Sequence, residues 1–228
     1  LDAGPLSPEN ARRLLEAYGI AVAPQRLAAT PEEAARAAVA LGLPVALKAV
    51  GRGLVHKSDL GGVRLALDSA EAVLAAAREM SARLSAAADA KLEGFLVQRM
   101  VAGEAEVIVG TRRDPTFGPV GLAGLGGVAV EILGDVALAP APVSRVRAGA
   151  MLSALRAAPL LHGARGRPPL DVAAVADAIV RLSWLAADLG DRLVDLEINP
   201  LIVGHAGRGA VAVDVRGRLE PARKESSA

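Results

Sequence analysis

The chain contains no cysteine, which excludes disulfides, a thiol nucleophile and thiolate-held zinc or iron–sulfur clusters. Aromatic residues are almost missing: two Phe, one Trp and one Tyr among 228 residues. The core must therefore be built from Ala, Val, Leu and Ile, and so few aromatics argue against base stacking of single-stranded nucleic acid. Neither sign of charge dominates. Lys plus Arg number 26 against 25 Asp plus Glu, and the basic residues are scattered, so no nucleic acid and no anionic membrane is expected as a partner. The longest mostly apolar run, Phe117 to Val130, falls short of the roughly 20 residues a spanning helix needs and holds five glycines and Pro119. No targeting segment is recognisable, and the cytoplasm is the expected compartment. The chain begins with Leu1 rather than an initiator methionine, so it is expected to be a subunit or a piece of a longer polypeptide.

What is present suits a folded protein: 52% of residues are hydrophobic and 22% charged, and the length fits one domain of two lobes. Ser7, Pro8 and Glu9 open a helix that Gly19 ends, and Thr30, Pro31 and Glu33 open an Ala-rich helix that stops near Gly42 and Pro44. Strands are expected at Val45–Val50, Val63–Leu67 and Phe95–Met100, with a glycine-rich loop at Gly51–Gly62. A long helix capped by Ser69 is expected to reach about Ala88. Further strands are expected at Glu106–Val109, Val120–Ala123 and Val128–Leu133, then helices near Arg145–Ala157 and Asp171–Leu189. The chain closes with a hairpin of Val194–Ile198 and Ala210–Val215. Mixed helices and strands in two halves predict an α/β (α+β) fold.

Two glycine patterns resemble nucleotide motifs and fail. In Gly51–Ser58, His56 stands where a P-loop needs its second glycine. Gly124, Gly126 and Ala129 fit a loose dinucleotide pattern, but Val130–Pro142 contains Gly134 and two prolines and cannot supply the helix that must follow. The terminal hairpin is more informative. Period-two geometry puts Asp195, Glu197 and Asn199 on one face, and a turn centred on Ala206–Gly207 sets Asn199 opposite Asp214 and Glu197 opposite Arg216. Such oxygen donors suit Mg²⁺; a solvated face with a Glu197–Arg216 ion pair is the alternative. Lys48 interrupts an apolar strand, so it must reach an edge, pair with an internal carboxylate or meet an anion such as phosphate. His56 is either a solvated loop residue or a phosphoryl acceptor. His162 and His205 read as surface or turn residues.

Several motifs occur together in order: Pro44-Val45-Ala46-Leu47-Lys48, His56-Lys57-Ser58-Asp59-Leu60-Gly61-Gly62-Val63, Gly103–Gly110 with Asp114–Pro119, Gly126–Glu131 and Glu197-Ile198-Asn199-Pro200-Leu201. Over about residues 6 to 218 the sequence resembles the ATP-grasp subunit of ADP-forming acyl-CoA (acetyl-CoA) synthetases, related to the β subunit of succinyl-CoA synthetase. The resemblance implies an ATP-grasp fold of two α/β lobes holding a nucleotide, with an N-terminal lobe at 6–97, a C-terminal lobe at 98–218 and a charged tail at 219–228. It implies the ATP-grasp part of an acid–thiol ligase, moving phosphate between a phosphohistidine and ADP or ATP with Mg²⁺. By matching position, His56 would carry the phosphoryl group and Lys48 would hold phosphates. Gln98, Met100 and Val101 would form the hinge against the base, and Glu106 would reach ribose. Asn199 and Asp214, supported by Glu197, would hold the metal. A CoA-binding and CoA-ligase subunit, or a fused domain, is the implied partner, giving a hetero-oligomer or part of a longer chain. One departure stands out: Ala139 occupies a position where the family usually has an arginine. Two other readings are a ligand-sensing ATP-grasp module fused to a protein lysine acetyltransferase, and a self-contained ATP-grasp ligase.

Overall fold

The computed structural model of the protein describes residues 2–52, 60–85, 91–126, 134–163 and 166–221. The chain opens with β1 (Gly4–Pro5) and α1 (Pro8–Ala17). Ser7 Oγ accepts from the Asn10 N–H at 3.2 Å, satisfying one of the orphan donors at the start of α1. The helix stops at Gly19, whose φ of +72° would strain any residue with a side chain.

By contacts the chain divides into Ala23–Val101 and a second unit of Leu1–Val22 with Ala102–Ala228. The expected division at 97/98 differs from this, because residues 6 to 22 join the unit that contains the chain's second half. Arg181 Nη1 donates to the Tyr18 carbonyl at 2.9 Å and the Tyr18 hydroxyl donates to Asp188 at 2.6 Å, interactions between residues far apart in sequence.

The continuous unit contains β2 (Gln25–Ala28), α2 (Pro31–Leu41), β3 (Val45–Arg52), β4 (Val63–Leu67), α3 (Ala70–Ser85) and β5 (Lys91–Arg99). Its sheet runs β2-β5-β3-β4 with every neighbour antiparallel. Thr30 Oγ1 accepts from Glu33 N, and the Glu33 carboxylate turns back to the Ala29 N–H, one residue earlier than in an ordinary capping box. Alanines at 34, 37, 38, 76 and 77 keep α2 and α3 slim enough to pack together over Val45, Leu47, Phe95 and Val97.

The second unit continues with β6 (Ala105–Asp114), β7 (Gly118–Leu125), β8 (Val136–Pro140), α4 (Arg145–Ser153), α5 (Ala158–Leu161), α6 (Val172–Leu189), β9 (Leu193–Val203), β10 (Ala210–Ala212) and β11 (Val215–Leu219). Among the described residues its sheet runs β1-β11-β9-β6-β7-β8, with β10 also on β9. Val107, Val109, Leu196, Ile198, Leu201 and Val203 form a core with Val175, Ile179, Leu182 and Leu185 of α6. Asp171 caps α6 by accepting from Ala174 N at 3.0 Å, while its other oxygen accepts from Gly209 N in the β9–β10 turn at 2.8 Å. Val143 N donates to Ser183 Oγ at 2.8 Å, satisfying a buried hydroxyl on the same helix.

The expected elements are largely present, with β5, β6 and β9 longer than expected. β1, β2 and β8 were not expected, the return strand expected at Ala210–Val215 is divided into β10 and β11, and the strand expected at Val128–Leu133 lies outside the described residues, as does the end expected for α3 near Ala88. Leu219, assigned to a tail, is buried in β11. Among the described residues no helix is long and apolar enough to cross a membrane.

Candidate functional site

The hairpin has the register that a turn at Ala206–Gly207 demands: Val203 pairs with Ala210, Ile198 with Val215 and Glu197 with Arg216. Against β6 the register slips, with Val107 on Leu201 but Val109 on Ile198, so that Asn199 and Pro200 together oppose Ile108. Pro200 has no N–H to offer a ladder and suits such a bulge. The flanking Ile198 and Leu201 both face the core, while Asn199 is exposed. On the return strand Val213 and Asp214 fill the matching interval between core-packed Ala212 and Val215. Asn199 N donates to the Asp214 carbonyl at 2.9 Å and Val213 N to the Pro200 carbonyl at 3.1 Å, closing the ladder across the irregular stretch.

Glu197, Asn199 and Asp214 are thereby gathered. Asn199 Nδ2 donates to Glu197 Oε1 at 3.3 Å, which leaves the amide oxygen for another partner. The Glu197–Arg216 ion pair of the alternative reading is not formed; Arg216 Nη2 lies 3.8 Å from Asp214 Oδ2 instead. Among the described residues no three His, Cys, Asp or Glu side chains cluster as a metal site, so a cation here would depend on the Asn199 amide as much as on carboxylates. One amide and two carboxylates are hard oxygen donors of the kind Mg²⁺ takes, and the residues fit that ion.

Along β6, alternation puts Glu106, Ile108, Gly110 and Arg112 on the same face as these donors. Glu106 is exposed and two residues from Ile108, about 7 Å along the strand from the bulge. In the other direction Gly110 pairs with Glu197. Here lies a cavity of about 760 Å³ bordered by Gly110, Arg112, Leu122, Glu197, Arg216 and Arg218. A cavity of about 650 Å³ adjoins Glu106 and is bordered by Glu104, Asp135, Leu170 and His205. Asp135 accepts from the Arg156 and Ala157 N–H groups, which hold its carboxyl below the usual carboxylate range. His205 Nε2 stands 3.4 Å from Glu104 Oε1 in the hairpin turn, where a turn histidine was expected.

In the continuous unit, Lys48 lies on β3 between β5 and β4, away from any sheet edge, and is only 5% exposed. Gln98 pairs in register with Ala46 and is fully buried, its Nε2 donating to Gln25 Oε1 at 2.9 Å. Lys48 and Gln98 share the sheet face opposite Leu47 and Val97, which meet the helices. The Met100 N–H donates to the Pro44 carbonyl at 3.0 Å, so the one backbone donor of that residue is engaged. Val101 follows it, half-buried. His56, with Lys57, Ser58 and Asp59, lies outside the described residues.

Ala139 on β8 is buried among the residues that pack on the helices, on the opposite face from Glu197 and Asn199. A side chain there points away from the oxygen donors. Two residues to which the sequence reading gave no part in the site, Gly110 and Arg216, both pair with Glu197. The pairing arithmetic had located Arg216 but read it only as an ion-pair partner.

Residues 2–219 match the ATP-grasp domain family. The β subunit of acetate–CoA ligase (ADP-forming) I from Pyrococcus furiosus is 39% identical over 213 residues, covering 93% of this chain and 90% of that one. The chain belongs to this ATP-grasp family of ADP-forming acetate–CoA ligase β subunits. Acetate–CoA ligase (ADP-forming) I of Archaeoglobus fulgidus is 41% identical over 198 residues, 87% of this chain, but the ATP-grasp chain spans only 29% of its length. Among solved structures, the dinucleotide-forming acetyl-coenzyme A synthetase 1 of Ca. Korarchaeum cryptofilum, in complex with coenzyme A and Ca-AMPCP, superposes with a TM-score of 0.89 at 38% identity, covering 95% of this chain and 94% of that one. The same synthetase with Mg-AMPPCP, its phosphohistidine segment pointing towards the nucleotide-binding site, gives a TM-score of 0.82 at 36% identity over 95% and 93% of the two chains. The fold is therefore ATP-grasp, as the sequence motifs imply.

Proposed function

We propose that this chain binds ATP or ADP with Mg²⁺ and moves the terminal phosphoryl group between the nucleotide and a histidine, as the ATP-grasp part of an ADP-forming acyl-CoA synthetase. The observation that carries the reading is the opposition of Asn199 and Asp214 across the β9 bulge, with Glu197 bonded to Asn199, in a chain of this family. Asn199 Oδ1 and the Asp214 and Glu197 carboxylates would hold the magnesium, which when bound neutralises phosphate charge. Lys48 is assigned to the phosphates, Gln98, Met100 and Val101 to the base, and Glu106 to ribose. The offset of Glu106 from the bulge, about 7 Å along β6, supports a nucleotide laid along that strand. Because the Met100 N–H is engaged, base recognition at that residue falls to its carbonyl.

His56 is the proposed phosphoryl acceptor. A lone pair of its neutral imidazole forms an N–P bond to the γ-phosphorus while the bond to the β,γ-bridging oxygen breaks. ADP leaves with that electron pair, and the ring releases its other N–H proton to solvent; the reverse regenerates ATP. Binding of CoA and acyl transfer belong to a partner subunit or fused domain, which also chooses the acyl group. The relatives compared above are ligases and synthetases, which does not favour a sensing module.

The test is incubation of the chain and its CoA-ligase partner with γ-labelled ATP and Mg²⁺, beside His56→Ala. Label on the ATP-grasp chain that survives alkali but not acid, and is absent from His56→Ala, is expected. No such label on the parent chain would overturn the reading.

A further inference from the structure

We propose that the Arg216 guanidinium contacts the phosphoryl group in flight, making Arg216 a further catalytic residue. This inference rests on the reading of the site just given. β11 begins immediately after Asp214, and alternation returns Arg216 to the same face, in register with Glu197. Its guanidinium is half-exposed and 3.8 Å from Asp214, near enough for charge attraction but too far for a hydrogen bond. Among the described residues the guanidinium makes no hydrogen bond, and Arg216 borders a cavity with Gly110 and Glu197, which leaves its N–H donors to offer a ligand there.

Gly110 adds an independent observation. It lies opposite Glu197 on β6, and a Cβ there would come within 3.8 Å of Glu197 Cγ and 3.4 Å of the Leu196 carbonyl oxygen. Any larger side chain would rise beside the Glu197 carboxylate and take up floor that the glycine leaves open. The other arginines nearby are placed differently: Arg112, on the same face, pairs with Asp195, two residues along β9 from Glu197. Arg113 donates to Glu220 and to the Asp191 carbonyl, and Arg218 stands beside Asp195 one pair further along. Among the described arginines of this face, Arg216 is the one paired in register with Glu197 and beside Asp214. In transfer, negative charge spreads over three equatorial phosphoryl oxygens while Asp214 and Glu197 add their own, and a planar multi-donor cation offsets both. The atoms exchanged are those already written: an N–P bond for an O–P bond, with Arg216 donating hydrogen bonds and losing no proton.

The test uses the full chain with its CoA-ligase partner and single-turnover labelling from γ-labelled ATP. Arg216→Ala is expected to slow labelling at least about 100-fold, with the dissociation constant of Mg·AMPPCP changed less than about fivefold and the melting temperature unchanged. Arg216→Lys should fall between, and added guanidinium ion should recover part of the Arg216→Ala rate. Independently of turnover, the ¹⁵N Nε–Hε resonance of Arg216 should shift when Mg·AMPPCP is added. Labelling of Arg216→Ala within about threefold of the parent, or a loss of nucleotide affinity that accounts for all of the rate loss, would overturn the proposal and leave the site reading intact. A parent chain that never labels would bring down the site reading instead, and Arg216 with it.

Discussion

Asn199 and Asp214 face each other because two consecutive residues on each strand fill the interval between core-facing neighbours. Either side chain alone is an ordinary polar group; opposed, they would offer two oxygen donors to the proposed magnesium. Asp214→Asn is expected to weaken Mg-dependent nucleotide binding by at least about tenfold, as it removes the carboxylate's charge and one of its two oxygens, which calorimetric titration with and without Mg²⁺ would read. A second residue-scale expectation concerns the core. Thr111 is 4% exposed on the helix-facing side of β6, and its Oγ1 has no hydrogen-bond partner among the described residues. Thr111→Val replaces a buried unsatisfied hydroxyl with a methyl group, and should stabilise by about 1 kcal/mol, raising the melting temperature by roughly 2–4 °C. At this scale the sequence was informative wherever chemistry is tied to register. Asn199 and Asp214 were found by counting across a turn, and Lys48 by its isolation in an apolar run. Gly110 was not, because an empty floor acquires meaning only when the neighbouring strand is known.

At the scale of elements, local signals and long-range ones separate cleanly. Ser7, Thr30 and Ser69 mark helix starts because a side-chain oxygen three residues before an amide acts within one turn, and β4 was bounded correctly by the flanking glycines and Asp68. β2 was missed because it is four residues long with an exposed middle, and it exists through pairing with β5. β8 was missed because Val136–Pro140 ends in a proline and owes its form to β7. α6 depends on both kinds of signal. Its cap, Asp171, also anchors Gly209 of the hairpin that carries Asn199. Asp171→Ala is expected to cost about 1–2 kcal/mol, and more than Asp171→Asn, which can still accept one of the two bonds; chemical denaturation of both variants would check the order.

For the whole molecule, acid stability should report one carboxylate that joins distant segments. Asp177 bonds Arg181 on its own helix and Arg145 at the start of α4, and Arg181 in turn holds the Tyr18 carbonyl after α1. The Arg181 hydrogen bond is the main cause of its carboxyl lying below the usual value. A carboxyl depressed in the folded state contributes stability above its unfolded pKa and loses it as pH falls through the folded one. Asp177→Asn should therefore melt below the parent at pH 7, with the gap closing towards pH 3, as a series of thermal melts would show. This linkage also explains why the sequence alone does not group residues 6 to 22 with Ala102–Ala228: α1 is amphipathic in the usual way, and nothing within it says which half of the chain will receive it.

β1 pairs with β11, Gly4 beside Leu219 and Pro5 beside Arg218. Antiparallel partners sit about 5 Å apart, so the polypeptide enters and leaves through one doorway at the sheet's margin, with everything else a loop hung from it. A body wired in this way can be spliced into a longer polypeptide, or run as a separate chain, without rerouting a single strand. It should equally accept circular permutation: a short linker across that doorway and new ends opened elsewhere would leave the oxygen donors of β9 and β11 where they are.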